Sequence, residues 1–150
     1  MDWSKFREAK VPSKNDAMPQ WAKELTMRVI EENSRRKVPP IAWCKTNGCN
    51  SSGYTQMYSQ KSGSMKYSFI LIRVGSDEQD QKLVLLHELS HWMCSRKEHH
   101  SKKFWRLAFD MYDRYGVDKQ YAIKRESHYK KKAVMVIAER SNSEGGELHE

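Results

Sequence analysis

Cysteine is scarce in this sequence: Cys44, Cys49 and Cys94 are the only three in 150 residues. An odd number with no CxxC pair excludes a disulfide framework, so free thiols are expected. Cys44 and Cys49 flank Asn47-Gly48 too loosely for a metal site, and packing is their expected role. Long apolar runs are missing as well. None approaches the roughly 20 residues that a membrane-spanning helix needs, so no membrane partner is expected. The opening MDWSKFREAK has no apolar segment of signal-peptide type, which makes the cytoplasm the expected compartment. Leu, Ile, Val and Phe together supply only 26 residues, a poverty that borders on disorder until 8 Met, 7 Tyr and 5 Trp are counted as core material. Acidic residues are outnumbered, 19 against 27 Lys+Arg, giving a net charge of +8. The length fits one domain.

Residues 1–17 mix charge and isolated aromatics without a period and read as an extended N-terminal arm; a single domain is expected over 18–138, and a disordered Ser-, Gly- and Glu-rich tail over 139–150. Pro19 suits a first helical turn, and Trp21, Leu25 and Val29 recur every four residues. Glu24/Arg28, Glu31/Arg35 and Glu32/Arg36 add i,i+4 pairs to this helix, which should end before Pro39-Pro40. Residues 41–74 contain β-formers (IAWC, GYTQMY, KYSFILIRV) separated by the turn signals Asn47-Gly48 and Lys61-Ser62-Gly63-Ser64. A second helix is predicted from about Glu78, capped by Ser76 or Asp77, to about Cys94. A third should run from about Ser101 to Tyr115, with Phe104, Ala108, Met111, Tyr112 and Tyr115 on one face and Gly116 as its stop. Residues 119–132 can form a basic helix, and 133–138 (AVMVIA) a strand or buried segment. The expected fold class is therefore α+β: a leading helix, a small three-stranded, mostly antiparallel sheet, then two helices.

The second helix carries His87-Glu88-Leu89-Ser90-His91. Four-residue spacing puts His87 and His91 one turn apart on one face, where two imidazoles can bind one Zn²⁺. Glu88 is rotated about 100° from His87, so it need not be a ligand and can act as general base toward a water at the metal. In a random shuffle of this composition the five-residue HExxH pattern arises in about 2% of cases, so context decides. The context is LVLLHELSHWM, an apolar helix in which two imidazoles and a carboxylate are costly to bury unless a metal or hydrogen bonds satisfy them. A catalytic zinc also needs a third protein ligand and an open position, and His99 and His100 follow His91 by eight and nine residues.

HELSH, a short basic loop, and then HHSKKFWRLAFDMYDRYG resemble the SprT-like and WLM-type zinc metallopeptidases, in which the HExxH helix is followed by a His-(Ser/Gly)-x-x-Phe-(Trp) segment. As an architecture the resemblance spans roughly residues 18–116; as a readable motif, 87–105. It implies a zincin-like fold and a zinc-dependent metallopeptidase cleaving a protein or peptide substrate. His87, His91 and His100 would be the metal ligands and Glu88 the catalytic base. The loop between His91 and His100 is longer than the family pattern, and the adjacent His99 competes for the third position. In related zincins an edge strand beside the metal pairs with substrate backbone, a role that would fall to YSFILIRV.

Other groups have bland readings. Cys94, three residues after His91, is expected to pack; Asp110 and Asp113 are expected to be solvated; Tyr121 and His128 look like ordinary surface residues.

Charge is uneven. Residues 95–132 hold 12 Lys+Arg against 5 Asp+Glu, a surplus of +7, while the remaining residues hold a surplus of +1. With Trp105, Tyr121 and Tyr129 interleaved, this is the footprint of a polyanion partner, and the resemblance makes DNA the natural one, with a nucleoid-associated location. Two other functions fit the same residues: a basic nucleic-acid-binding protein with structural zinc or none, and a regulatory protease that cleaves one dedicated partner.

Overall fold

A computed structural model describes residues 17–33, 38–45, 55–62, 65–75, 77–94 and 101–127. Residues 1–16 of the expected arm, the 133–138 segment and the tail lie outside them, as do Cys49, His99, His100 and His128. The architecture is α+β, in the order α1 (Gln20–Asn33), β1 (Ile41–Lys45), β2 (Thr55–Ser62), β3 (Met65–Val74), α2 (Glu78–Met93), α3 (Lys102–Arg114) and α4 (Lys119–Glu126). The chain divides into two compact units, Met1–Met93 and Cys94–Glu150.

In the first unit, Pro19 sits just outside α1, and its carbonyl accepts from the amides of Ala22 and Lys23 at 3.0 and 3.1 Å. Proline suits this boundary because the helix makes no demand on an amide there. Ala22, Leu25, Met27, Val29 and Ile30 form the buried side. Buried Thr26 donates its hydroxyl to the Ala22 carbonyl at 2.8 Å, satisfying a polar atom that would otherwise oppose burial. On the exposed side Arg28 pairs with Glu32 at 2.8 Å.

The sheet has the order β1-β3-β2. β2 and β3 form an antiparallel hairpin with Thr55 opposite Ile72 and Ser62 opposite Met65. The strands thus include Lys61 and Ser62, which the sequence suggested as part of a turn. β1 pairs with β3 in parallel, from Ile41 opposite Ile70 to Lys45 opposite Val74. One of the two pairings is therefore parallel, which corrects the expectation of a mostly antiparallel sheet. β3 returns from the hairpin between β1 and β2, so it runs in the same direction as β1.

That order also narrows the substrate-pairing role suggested for YSFILIRV. β3 is the central strand, and over residues 70–74 it is paired with β1 on one side, while β2 pairs with residues 65–72 on the other, so the C-terminal half of the segment offers no ladder to a third chain. Ile70, Ile72 and Val74 are fully buried along it. Ile41, Ala42, Trp43 and Cys44 are all buried in β1, a continuous apolar run of the kind found where both faces of a strand are covered. Trp21 of α1 meets Trp43 edge-to-face at 6.2 Å.

α2 packs against both α1 and β3. Asp77 caps it, its side chain accepting from the Gln79 amide at 3.0 Å. Gln81 fastens the strand-to-helix connection by donating to the Gly75 carbonyl at 2.6 Å. Every residue from Leu83 to Ser90 is buried, so this helix is enclosed on all sides through its middle. No helix among the described residues is long and apolar enough to cross a membrane.

In the second unit Ser101 caps α3, accepting from the Phe104 amide at 3.3 Å. Phe104, Trp105, Phe109 and Tyr112 form a buried aromatic row, with successive centroids 5.0, 6.1 and 5.4 Å apart. Gly116 then turns the chain at φ 84°, where a β-carbon would clash, and the Val117 amide reaches back to the Tyr112 carbonyl at 2.8 Å. Asp118 starts α4 by accepting from the Tyr121 amide at 2.9 Å. α4 spans Lys119–Glu126, with the Ser127 hydroxyl donating to the Lys124 carbonyl at 2.7 Å, and residues 128–132 of the expected basic helix lie outside the described residues.

Candidate metal centre

The buried stretch of α2 contains three groups that water would normally solvate. His87 is 5% exposed and Glu88 7%, while His91 is half-buried. One helical turn separates the two imidazoles, whose centroids are 5.0 Å apart with their planes at 67°. The Glu88 carboxylate lies beside them, with Oε1 3.8 Å from Nε2 of His87. That separation is too long for a hydrogen bond.

A ligand atom from each of His87, Glu88 and His91 falls within 4.8 Å of the other two, a group able to hold a metal ion. Two ligands at roughly 2.0–2.1 Å from one zinc ion stand at most about 4 Å apart, so small side-chain rotations would close the group on an ion. Two imidazole nitrogens and a carboxylate oxygen suit zinc and its neighbours among the divalent transition metals rather than calcium or magnesium. Position on the helix adds to this fit. The residues occupy the last two turns of α2, where the macrodipole is negative and favours a cation.

The sequence placed His87 and His91 together, and they are together. It placed Glu88 to one side, and here the structure is tighter than the sequence suggested. An angular offset of about 100° is spanned by the length of the glutamate side chain, so its carboxylate joins the imidazole cluster. His100, expected as third ligand, and its neighbour His99 lie outside the described residues.

The other sequence candidates keep their bland readings. Cys94 is a buried free cysteine and does not belong to the cluster. Asp110 pairs with Arg114 at 3.0 Å, both side chains more than 40% exposed, which is the solvated state expected of it. Asp113 is exposed. Cys44 is buried in β1. Sequence reasoning did not anticipate that Asp80 and Gln81 are buried at the start of α2, or Glu126 at the end of α4. Their positions carry no apolar period that would have marked them.

No protein-family model, curated protein or solved structure matches this chain.

Proposed function

We propose that the protein is a zinc-dependent metallopeptidase with a zincin-like domain, hydrolysing peptide bonds with Glu88 as general base. One observation carries this reading: two imidazoles and a carboxylate converge within 4.8 Å on a helix whose stretch from Leu83 to Ser90 is buried. His87 and His91 would hold the ion, and His100 is the residue that sequence offers for the third position.

Zinc in such a site supplies Lewis acidity, polarising the scissile carbonyl and bringing the pKa of a bound water toward neutrality. The chain's own part is proton traffic and exclusion of water. Glu88, almost wholly buried beside His87, would take a proton during attack and return it to the leaving amine. Its low-polarity surroundings strengthen every electrostatic interaction made there.

The charge distribution adds a location to the activity. Lys103, Arg106, Lys119 and Lys124 are exposed on α3 and α4, within the stretch that holds the +7 surplus. A polyanion such as DNA is the partner this charge would attract, and proteins associated with DNA are then the substrates. Metal analysis tests the foundation. Protein purified without chelator should carry about one zinc per chain, and the His87→Ala variant none. Wild-type protein free of zinc and unable to take it up would end this reading and favour a basic nucleic-acid-binding protein.

A further inference from the structure

α3 and α4 pack on one another and are joined by only four residues, 115–118. Each step of that connection is fixed. Gly116 makes the left-handed turn at φ 84°, buried Val117 bonds back to the Tyr112 carbonyl at 2.8 Å, and Asp118 caps α4. Two packed helices joined by a turn of three or four residues that contains a glycine have the layout of a helix-turn-helix. In that motif the second helix lies in the major groove of DNA and the first crosses the backbone.

The surface of α4 suits such a use. Ala122 and Glu126, four residues apart, mark its buried side, whereas Gln120, Lys124 and Ser127 follow at i, i+4 and i+7 along an exposed one. Lys119 is exposed at its first position. A helix with its side chains is about 10–12 Å across, and the major groove is about 12 Å wide. On α3 the exposed cations Lys103 and Arg106 stand in the first two turns. Residues 101–127 hold seven Lys+Arg against four Asp+Glu, and three of these acids are already engaged or enclosed. Asp110 pairs with Arg114 at 3.0 Å, Asp118 accepts from the Tyr121 amide at 2.9 Å, and Glu126 is buried. The charge this unit turns to solvent is accordingly positive.

We infer that α3 and α4 grip duplex DNA in the manner of a helix-turn-helix, with Lys119, Gln120 and Lys124 of α4 in the major groove and Lys103 and Arg106 of α3 on the phosphates beside it. This deepens the DNA-directed part of the proposed function and rests on it. The partner is B-form duplex, because the major groove of A-form RNA is too deep and narrow to be read in this way. Lysines carry charge to the phosphates that border the groove, and Gln120 offers one amide to a base edge, so sequence preference stays slight.

The test titrates the full-length chain at low salt with two duplexes of one sequence. They differ only in carrying cytosine or glucosylated 5-hydroxymethylcytosine, whose sugar fills the major groove. Affinity for the glucosylated duplex should be lower by at least about tenfold, the order of loss expected when contacts in that groove are removed. Netropsin, which occupies the minor groove, should leave affinity unchanged. Both arms use the wild-type protein, so neither depends on a variant folding. Lys124→Gln should then lower the slope of log affinity against log salt by about one, as for the loss of one phosphate contact, with its thermal midpoint unchanged. Equal affinity for the two duplexes, displacement by netropsin, or an unaltered slope in both Lys119→Gln and Lys124→Gln overturns this placement of α4 and leaves the DNA reading standing. No binding to either duplex removes DNA from the proposed function, and this inference with it, and leaves the peptidase assignment as it was.

Discussion

His87 and His91 face one another across a single turn of α2, their ring centroids 5.0 Å apart in the last two turns of a helix buried from Leu83 to Ser90. Zinc should therefore stabilise the folded chain. A ligand that binds only the native state adds stability by mass action, about 2.7 kcal/mol when present at a hundred times its dissociation constant. Thermal unfolding with and without added zinc should show an upward shift of several degrees in the wild type and none in His91→Ala. An equal shift in both would place the metal elsewhere.

The third ligand can be assigned by single substitutions. His100 immediately precedes Ser101, whose cap on α3 fixes the chain direction, and His99 is one residue further from that anchor. His100→Ala should lose zinc and His99→Ala retain it, as measured by metal content after dialysis. The opposite pattern would move the site by one residue and leave the proposed chemistry unchanged.

Gly116 should be hard to replace. At φ 84° it closes α3 and lets the Val117 amide bond back to Tyr112. Alanine there places a β-carbon against the backbone, so Gly116→Ala should destabilise the protein by about 1–2 kcal/mol, seen as a lower denaturant midpoint. An unchanged midpoint would mean that the turn relaxes to another conformation.

Charge between residues 95 and 132 predicts salt-sensitive binding to DNA with little sequence preference. Neutralising phosphates releases condensed counterions, so affinity should fall steeply between 50 and 200 mM salt, by about 10³-fold or more if six or more phosphates are contacted. Replacing Lys130, Lys131 and Lys132 together by Glu should weaken binding and leave cleavage of a DNA-free peptide unaltered. Binding that is absent at low salt, or indifferent to the triple change, would return this surface to ordinary solvation and favour a dedicated protein substrate.

The helices were legible because each had its own punctuation. Asp77, Ser101 and Gly116 mark ends within a residue or two of those observed, since caps act locally and need no knowledge of the rest of the chain. Strand order was not legible. The apolar pattern of KYSFILIRV is the same whether the strand lies at an edge or between two neighbours, and its central position arises from pairing with IAWCK far back in sequence. The metal cluster was legible in His87 and His91, whose spacing equals a helical turn. Glu88 was only half legible, because angular position on a helix omits the reach of a side chain three carbons long. Burial of Asp80, Gln81 and Glu126 depends on what packs over them, which spacing along one helix does not encode.

Substituting Glu88 by Gln tests the central claim most directly, since it removes the base and keeps the shape and both histidines. Zinc content and peptide cleavage should be measured on the same preparation. The account predicts zinc near one per chain, as in the wild type, with hydrolysis reduced by at least about 10²-fold, the ordinary contribution of a positioned general base. Full hydrolysis by Glu88→Gln would contradict it.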